Sequence, residues 1–259
     1  MNKILAFCFI LLSSSTYISA QCYPADDTEN FDGQVESWYK WAKDWENYAI
    51  DQFPISEKDE MQIGDSLHLT MAQENVLLKT HPKKRKVEQI VAKLARSTNR
   101  KGIRYTVHII DDNKTLNAFS IAGGHVYLTS KILDWVESED ELAFILAHEV
   151  AHVDNKHSVR KAQKLLIGEM FLGDYGILAA NLEILLSSPF GQIDEYDADR
   201  SGAVLAVKAG YNPRKGLRFF EKMSQDENYD YIEKIMRTHP YSSERHNCLD
   251  HFMRDKLNR

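Results

Sequence analysis

The sequence predicts an α+β protein that is mostly helical and contains one small β-sheet. Helical patterns, in which apolar residues recur every three or four positions, occupy most of the chain. Only two stretches, RYTVHIIDD and NAFSIAGGHVYLTS, have the composition of strands, and two adjacent glycines interrupt the second. The 259 residues, 43 % of them hydrophobic, are enough for one compact domain with a real core.

The first residues of the chain resemble a secretory leader. Lys3 precedes an apolar run from Ile4 to Leu12, and small polar residues follow as far as Ala20. We therefore expect residues 1–20 to be a signal peptide that is cleaved after Ala20, and the mature protein to be exported to the periplasm or secreted. A retained anchor is the lesser alternative, because a membrane span takes about 20 apolar residues.

Removal of the leader would leave two cysteines, Cys22 and Cys248, because Cys8 leaves with it. Two thiols in an exported protein predict a Cys22–Cys248 disulfide, with two unpaired cysteines as the alternative. Lipid attachment at Cys22 is a lesser expectation, since Gln21 stands where the lipidation signal has a small residue.

The net charge of −6 argues against a nucleic-acid partner, because such proteins present a basic face to displace counterions. The one basic cluster, residues 83–86, is read as a solvated helix face. Residues 21–52 form a predicted N-terminal segment in which Trp38, Trp41 and Trp45 recur at helical spacing. We expect this acidic and aromatic helix to dock on the main domain, which covers residues 53–259.

Within that domain the helices can be placed from their start and stop signals. Ser56 opens a helix over SEKDEMQIGDSLHLTMAQE, and KKRKVEQIVAKLARSTN forms the next one. After the strands, DELAFILAHEVAHVDNKHSVRKAQ is predicted to be one long helix that begins with three acidic residues. IDEYDADRSGAVLAVKAG and RKGLRFFEKMSQ are two further helices, separated by a turn at Gly210 and Pro213.

The most apolar part of the mature chain is LLIGEMFLGDYGILAANLEILLSSPFG. Three acidic residues and three glycines interrupt it, so it predicts a buried helix or helical hairpin and not a membrane hairpin. We therefore expect no transmembrane span in the mature chain.

The stretch AHEVAH carries the first candidate site residues. His148 and His152 lie four positions apart, so on a helix they project from one face and can bind one metal ion. Glu149 projects beside them, where its carboxylate can take a proton from a water molecule that the metal activates. Satisfied core histidines are the alternative, but a buried apolar helix gains nothing from unpaired polar groups.

A catalytic zinc takes three protein ligands and leaves a position for water. A glutamate from a later helix is the expected third ligand, and Glu195 is preferred over Glu183. Only Glu195 has an aspartate one turn further on, Asp199, which can hydrogen-bond a ligand imidazole. His157 points about 140° away from His152 on a continuous helix, so we expect it at the helix end or behind the ligands.

LAHEVAH, followed by EYDADRSG, resembles the HExxH…ExxxD signature of the CAAX-prenyl-endopeptidase/HtpX-like zinc metallopeptidases. The stretches NAFSIAGGHVYLTSKIL and RTHPYSSER also fit that family, so the resemblance covers roughly residues 55 to 250. It implies a zincin-like, gluzincin-type domain that binds one zinc ion per chain. The implied zinc ligands are His148, His152 and Glu195, with Glu149 as the base and Asp199 as a supporting acid and proton donor.

The resemblance also implies a role for His239, in the stretch THP. This residue would lie near the zinc, either steadying the oxyanion or closing the site as an additional ligand; from the sequence alone a structural role stays open. Two positions depart from the family pattern: Gln192 stands where an arginine is usual, and Ala122 where a proline is usual. Neither position belongs to the metal set.

These features predict an exported zinc-dependent endopeptidase that hydrolyses unfolded or misassembled envelope proteins in quality control. The strand at residues 124–127 is expected to form the edge of the cleft and to pair with an extended substrate. A zinc-stabilised periplasmic chaperone or adaptor with little proteolysis is the main alternative, and a small-molecule hydrolase on the same metal site is a lesser one.

Overall fold

The computed structural model describes residue 48 and residues 50–172, 185–186, 188–225, 235, 238–239 and 243–257. These residues form a mostly helical α+β fold with a three-stranded sheet, which confirms the predicted fold class. The predicted leader, Cys22 and the tryptophans of the N-terminal helix lie outside the described residues, so the division into a leader, an N-terminal segment and a domain stays a prediction.

Most helices of the described residues agree with the predicted ones in order, with two differences: the predicted long helix is broken, and the short helix Ser130–Trp135 was not predicted. Ser56 caps the first helix through a side chain that accepts a hydrogen bond from the Asp59 N–H. The helices, labelled in chain order, are α1 (Glu57–Glu74), α2 (Lys84–Ala95), α3 (Ser130–Trp135), α4 (Glu139–Asp154), α5 (His157–Leu172), α6 (Gln192–Lys208), α7 (Arg214–Gln225) and α8 (Ser243–Leu257).

The sheet consists of β1 (Thr106–Ile110), β2 (Ala118–Ile121) and β3 (His125–Thr129), in the order β1-β3-β2. Strand β3 pairs with β1 in parallel and with β2 in antiparallel. A 3₁₀ turn at Ala122–Gly124 joins β2 to β3, with Gly123 and Gly124 at positive φ angles of 81° and 87°. The prediction that residues 124–127 form the cleft edge is therefore wrong, because β3 has a partner strand on each side.

The two faces of β3 meet different helices, because successive side chains of a strand point to opposite faces. Val126 and Leu128 join the main core, which includes α4 through Phe144 and Leu146. Tyr127 joins a second cluster on the other face, with Leu67 and Met71 of α1 and with Phe119 and Ile121 of β2. The sheet therefore separates α4 from α1.

The predicted long helix is broken into α4 and α5. Helix α4 ends at Asp154, whose carboxylate accepts hydrogen bonds from the backbone N–H groups of Asn99 and Arg100. Lys156 then takes a left-handed conformation with φ 67°, the only positive φ of a non-glycine residue among those described. The chain changes direction there, so His157 at the start of α5 turns back towards α4.

Helices α4 and α6 pack closely because α6 has a glycine at the contact. A Cβ atom at Gly202 would lie 3.0 Å from the backbone nitrogen of His148 and 3.1 Å from the carbonyl carbon of Ala147. Both neighbours are backbone atoms of a buried helix, which cannot move aside as a flexible side chain would. The small size of Gly202 therefore sets the distance between the two helices.

Among the described residues, no helix combines the length and the apolarity that crossing a membrane requires. Cys248 is buried on α8. The Cys22–Cys248 bridge stays a prediction.

Replacing Gly202 by alanine is expected to push α6 away from α4. Overpacking of this kind costs about 1–3 kcal/mol, so the free energy of unfolding should fall by that amount in urea denaturation. Lys208→Ala, at an exposed position of the same helix, is the control and should stay within about 0.5 kcal/mol of the wild type. Equal stability of the two variants would contradict this account of the α4–α6 contact.

Candidate metal centre and active site

Helix α4 brings both histidines of the HExxH motif to one buried point. Ser138 caps the helix by accepting a hydrogen bond from the Glu141 N–H, and acidic residues occupy its positive end. The Nε2 atoms of His148 and His152 lie 3.0 Å apart. Both rings are buried, and that of His152 is fully enclosed.

Helix α6 and a turn near residue 239 supply two further ligating groups. Glu195 lies with Oε2 3.5 Å from Nε2 of His148 and with Oε1 3.4 Å from Nε2 of His152. The Nδ1 atom of His239 lies 3.0 Å from Oε1 of Glu195 and 3.3 Å from Nε2 of His148. The structure therefore brings together the three ligands that the sequence predicts, together with His239.

The spacing of these four groups fits a zinc ion. Zinc bonds to nitrogen and oxygen of about 2.0–2.2 Å place the ligands of a tetrahedral site roughly 3.3 Å apart. The measured separations between the ligating atoms, 3.0 to 3.5 Å, cluster around that value. Three imidazoles and one carboxylate are also a donor set that zinc accepts. If all four groups bound one ion, His239 would take the position that a catalytic zinc leaves for water.

The outer nitrogens of the two α4 histidines have partners that fix the rings. Nδ1 of His148 lies 3.0 Å from Oδ1 of Asp199, one helical turn beyond Glu195 on α6. Nδ1 of His152 lies 3.1 Å from Nδ1 of His157, at the start of α5. The ring of Phe190 stacks on His152 with the centroids 3.9 Å apart. Such contacts set the tautomer and the orientation of metal-binding imidazoles.

Arg245 of α8 holds the two carboxylates of α6 in place. Its Nε and Nη2 atoms donate hydrogen bonds to the two oxygens of Asp199, each at 2.8 Å, and Nη1 lies 2.6 Å from Oε2 of Glu195. Burial disfavours the charge of Arg245, but the two carboxylates outweigh it and raise the pKa of the guanidinium. Burial alone would raise the pKa of both carboxyl groups, Glu195 and Asp199. The charge of Arg245 and the contacts with the histidines outweigh burial and lower both pKa values.

These carboxylates favour a positive charge at the site. Burial alone would lower the pKa of His148, but hydrogen bonds and charge from Asp199 and Glu195 raise the pKa to about 10. Burial dominates at His152 and lowers the pKa of that imidazole well below its ordinary value, so its lone pair is available. A divalent cation is a natural occupant of such a site.

The carboxylate of Glu149 lies beside the ring of His239, and one of its oxygens can accept a proton. Its Oε1 atom lies 3.4 Å from Nε2 of His239. The other oxygen, Oε2, is buried and has no hydrogen-bond partner among the described residues. An unpaired buried carboxylate oxygen is costly, and here it is free to accept a proton from a water molecule.

Two pockets meet at His239, and strand β2 borders both. The first lies against His148 and Glu149 and has mostly apolar walls, formed by Ala118, Phe144, Ile145, Phe219, Phe220, Met223 and Ile235. The second lies along the rest of β2 and includes Ser120, Lys161 and Phe190. The site therefore opens onto apolar surface on either side of the ligating groups.

Several residues at this centre were not predicted from the sequence. Arg245 lies within the RTHPYSSER stretch, but its ion pairs with α6 join positions 46 and 50 residues apart, and no local pattern indicates them. Phe190 and Lys161, whose ammonium lies 4.4 Å from the Phe190 ring centroid, also come together only in the fold. The alternative ligand Glu183 lies outside the described residues, and the roles of the predicted site residues stay predictions.

The chain is similar to known metallopeptidases. The sequence model described as peptidase family M48 matches residues 81–253, which is more than half of the chain and includes all four ligating residues. The mitochondrial metalloendopeptidase OMA1 of Saccharomyces cerevisiae is 26 % identical over 234 residues, covering 76 % of this chain and 67 % of the yeast protein.

Two bacterial relatives are similar over a smaller part of their length. The putative beta-barrel assembly-enhancing protease of Vibrio cholerae is 30 % identical over 181 residues, covering 61 % of this chain and 37 % of the relative. The beta-barrel assembly-enhancing protease of Yersinia pestis is 29 % identical over 169 residues, covering 57 % and 34 %. The chain therefore spans about a third of these bacterial proteins. The matches confirm the predicted enzyme class at the level of the family, zinc-dependent metallopeptidases.

Loss of the Arg245 fork is expected to destabilise the site. Arg245→Leu leaves two buried carboxylates without their cation, which costs about 3–5 kcal/mol of unfolding free energy in the metal-free protein. Arg245→Lys keeps the charge but cannot reproduce the bidentate contact, so it should cost about 1–3 kcal/mol.

Arg254→Lys is the matched control, since Arg254 lies on the same helix and forms an exposed ion pair with Asp250. Its effect should stay below about 0.5 kcal/mol. Urea denaturation in the presence of a chelator measures all three variants. If Arg245→Lys proves as stable as Arg254→Lys, the fork does not hold α6.

Proposed function

The chain belongs to peptidase family M48, and we propose that it is an exported zinc-dependent endopeptidase that hydrolyses unfolded or misassembled envelope polypeptides. One observation carries the proposal: ring nitrogens of His148 and His152 and carboxylate oxygens of Glu195 lie 3.0 to 3.5 Å apart, beside a buried glutamate that has an unpaired oxygen. Three such ligands with an adjacent carboxylate are what metal-assisted peptide hydrolysis requires.

Each residue of the centre has a proposed task. His148, His152 and Glu195 hold one zinc ion, which when bound supplies Lewis acidity to a peptide carbonyl and to a water molecule. Glu149 takes the proton from the water through Oε2 and returns it to the leaving amine. Asp199 keeps the proton on Nδ1 of His148, so that Nε2 faces the metal.

The surroundings of the centre favour an extended and apolar substrate. Strand β2 is an edge strand of the described sheet and borders the pockets on both sides of His239. An extended peptide can pair with such an edge while its side chains enter the pockets. Because most of the first pocket's wall is apolar, it suits side chains that a folded protein keeps in its core. Unfolded polypeptides offer both features together.

The export proposal depends on the leader at residues 1–20 and on the kind of relatives. Two of these are bacterial and carry beta-barrel assembly in their names, whereas the yeast relative is named as mitochondrial. We propose that the mature chain begins after Ala20, acts in the periplasm or outside the cell, and is closed by the Cys22–Cys248 bridge. Within that setting the residues 21–52 form a separate N-terminal segment.

The position of His239 favours one alternative, a zinc-stabilised chaperone or adaptor with little proteolysis. His239 lies within ligand distance of the other three groups and would close the fourth position of the zinc. Under the protease proposal His239 withdraws when a substrate enters; under the alternative it stays. The two proposals differ in whether the Glu149 carboxylate is needed in the cell. The protease requires it for cleavage, and the chaperone does not.

Replacing Glu149 by glutamine is expected to abolish proteolysis and keep the fold. The amide cannot accept the proton, so cleavage of unfolded casein should fall by about 100- to 10,000-fold while the zinc content stays unchanged. Glu139→Gln, at an exposed position of the same helix, is the control and should cleave casein at the wild-type rate. Cleavage that survives both Glu149→Gln and a chelator would reject the mechanism. Rescue of a deletion strain by Glu149→Gln as well as by the wild type would favour the chaperone.

Replacing His239 by alanine is expected to open the fourth position. Casein cleavage should rise, and zinc should be lost to a chelator at a lower concentration, because one of four ligands is missing. The measurements are the initial cleavage rate and the zinc content after dialysis against graded chelator. If cleavage falls while zinc is retained, His239 acts on the oxyanion and does not close the site.

A further inference from the structure

A second group of histidines lies on the other face of the sheet, away from α4. It consists of His68 on α1, His108 on β1 and His125 on β3. One ring nitrogen from each lies within 4.8 Å of the other two. Family membership and the HExxH motif do not account for this group, since it shares no residue with the centre described above.

The contacts of His125 and His108 are those of ligands that converge on one point. Nδ1 of His125 and Nε2 of His108 lie 3.0 Å apart, and the hydroxyl of Thr106 lies 3.1 and 3.3 Å from them. Nε2 of His125 lies 3.1 Å from Oδ1 of Asp65. When Nε2 of His125 carries the proton, it donates to the carboxylate of Asp65, and the lone pair of Nδ1 points towards His108. Histidine ligands of metal ions commonly have such a carboxylate partner.

His68 completes the group from the helix. Its Nδ1 atom lies 2.8 Å from the hydroxyl of Tyr127, and its ring stacks on His108 and His125 with centroids 4.1 and 4.9 Å away. When Nδ1 donates to Tyr127, Nε2 of His68 keeps its lone pair. The ring is only half-buried, so a rotation of this side chain can bring a nitrogen nearer to the other two.

The chemistry of the group matches a late transition metal. Burial lowers the pKa of all three imidazoles, that of His108 to about 3, where the neighbouring histidines add to the effect. The rings are therefore neutral and can donate their lone pairs near neutral pH. An all-imidazole set suits Zn²⁺, Cu²⁺ or Ni²⁺ and not Ca²⁺ or Mg²⁺, which take oxygen ligands.

We propose that His68, His108 and His125 form a second site for a divalent transition metal, with Asp65 and Tyr127 orienting the ligands. Zinc–nitrogen bonds of about 2.0–2.1 Å place tetrahedral ligands roughly 3.3 Å apart, so the His68 nitrogen would move towards the other two, which already lie 3.0 Å apart. The ion would join α1 to β1 and β3 across 40 and 57 residues of sequence, and so fasten the helix to the sheet.

The test counts zinc ions in a protein that cannot digest itself. Glu149→Gln, free of any histidine tag, is dialysed against buffered free Zn²⁺ and analysed by atomic spectrometry. We expect two zinc ions per chain. Adding His68→Ala should leave one, while adding His251→Ala, which removes an exposed histidine of α8, should leave two. Circular dichroism and the retained first ion report whether the His68→Ala protein folds.

Asp65→Asn provides a second test of zinc affinity. Because the Asp65 side chain is half-exposed, this substitution should leave the fold intact. It should weaken the second zinc by about 10- to 100-fold and leave the first unchanged. One zinc ion in the Glu149→Gln protein would overturn the proposal, as would two equally tight ions in the His68→Ala protein. An affinity unaffected by Asp65→Asn would remove the proposed role of that carboxylate.

Discussion

The guanidinium of Arg245 is the contact on which the centre depends, since it binds both carboxylates of α6 that in turn contact the histidines of α4. Burying an ion pair costs desolvation, and this is repaid only when every charge has its partner. With a zinc ion in place, three carboxylates, Glu149, Glu195 and Asp199, would face one guanidinium and one dication, and the ammonium of Lys161 also interacts with Glu149 and Glu195. Without the zinc ion, the carboxylates raise the pKa of His148, so a proton partly replaces the metal.

Pairs of candidate site residues within one helix could be predicted because their geometry is local. Residues four positions apart on a helix face the same way, so His148 and His152, or Glu195 and Asp199, can be paired from the sequence alone. The break after α4 was not predicted, because glycine or proline usually marks such a break and the residues there are Asn155 and Lys156. Asp154 ends the helix by binding backbone groups more than fifty residues away, which no window of sequence contains.

Strand order was missed for a related reason. Residues 124–127 were expected at the cleft edge, but β3 lies between β1 and β2, and its parallel pairing with β1 is a non-local contact that no short stretch of sequence reveals. The same pairing brings His108 next to Tyr127 and Thr106 next to His125, which assembles the histidine group on the α1 face. The fold class could be predicted because it follows from the periodicity of the segments. The second group of histidines could not, because it depends on the register in which β1 pairs with β3.

The contacts around His152 have a consequence for how the metal enters and leaves. Nε2 of this residue faces the ligands, Nδ1 meets His157, and Phe190 covers one face of the ring, so the side chain has no free rotation. His148 contacts Asp199 of α6, and Glu195 contacts Arg245 of α8. Only His239 comes from outside these helices, and both pockets border it. A peptide lying in these pockets would therefore cover the side of the centre that the helices leave open, and would slow the loss of a bound metal ion.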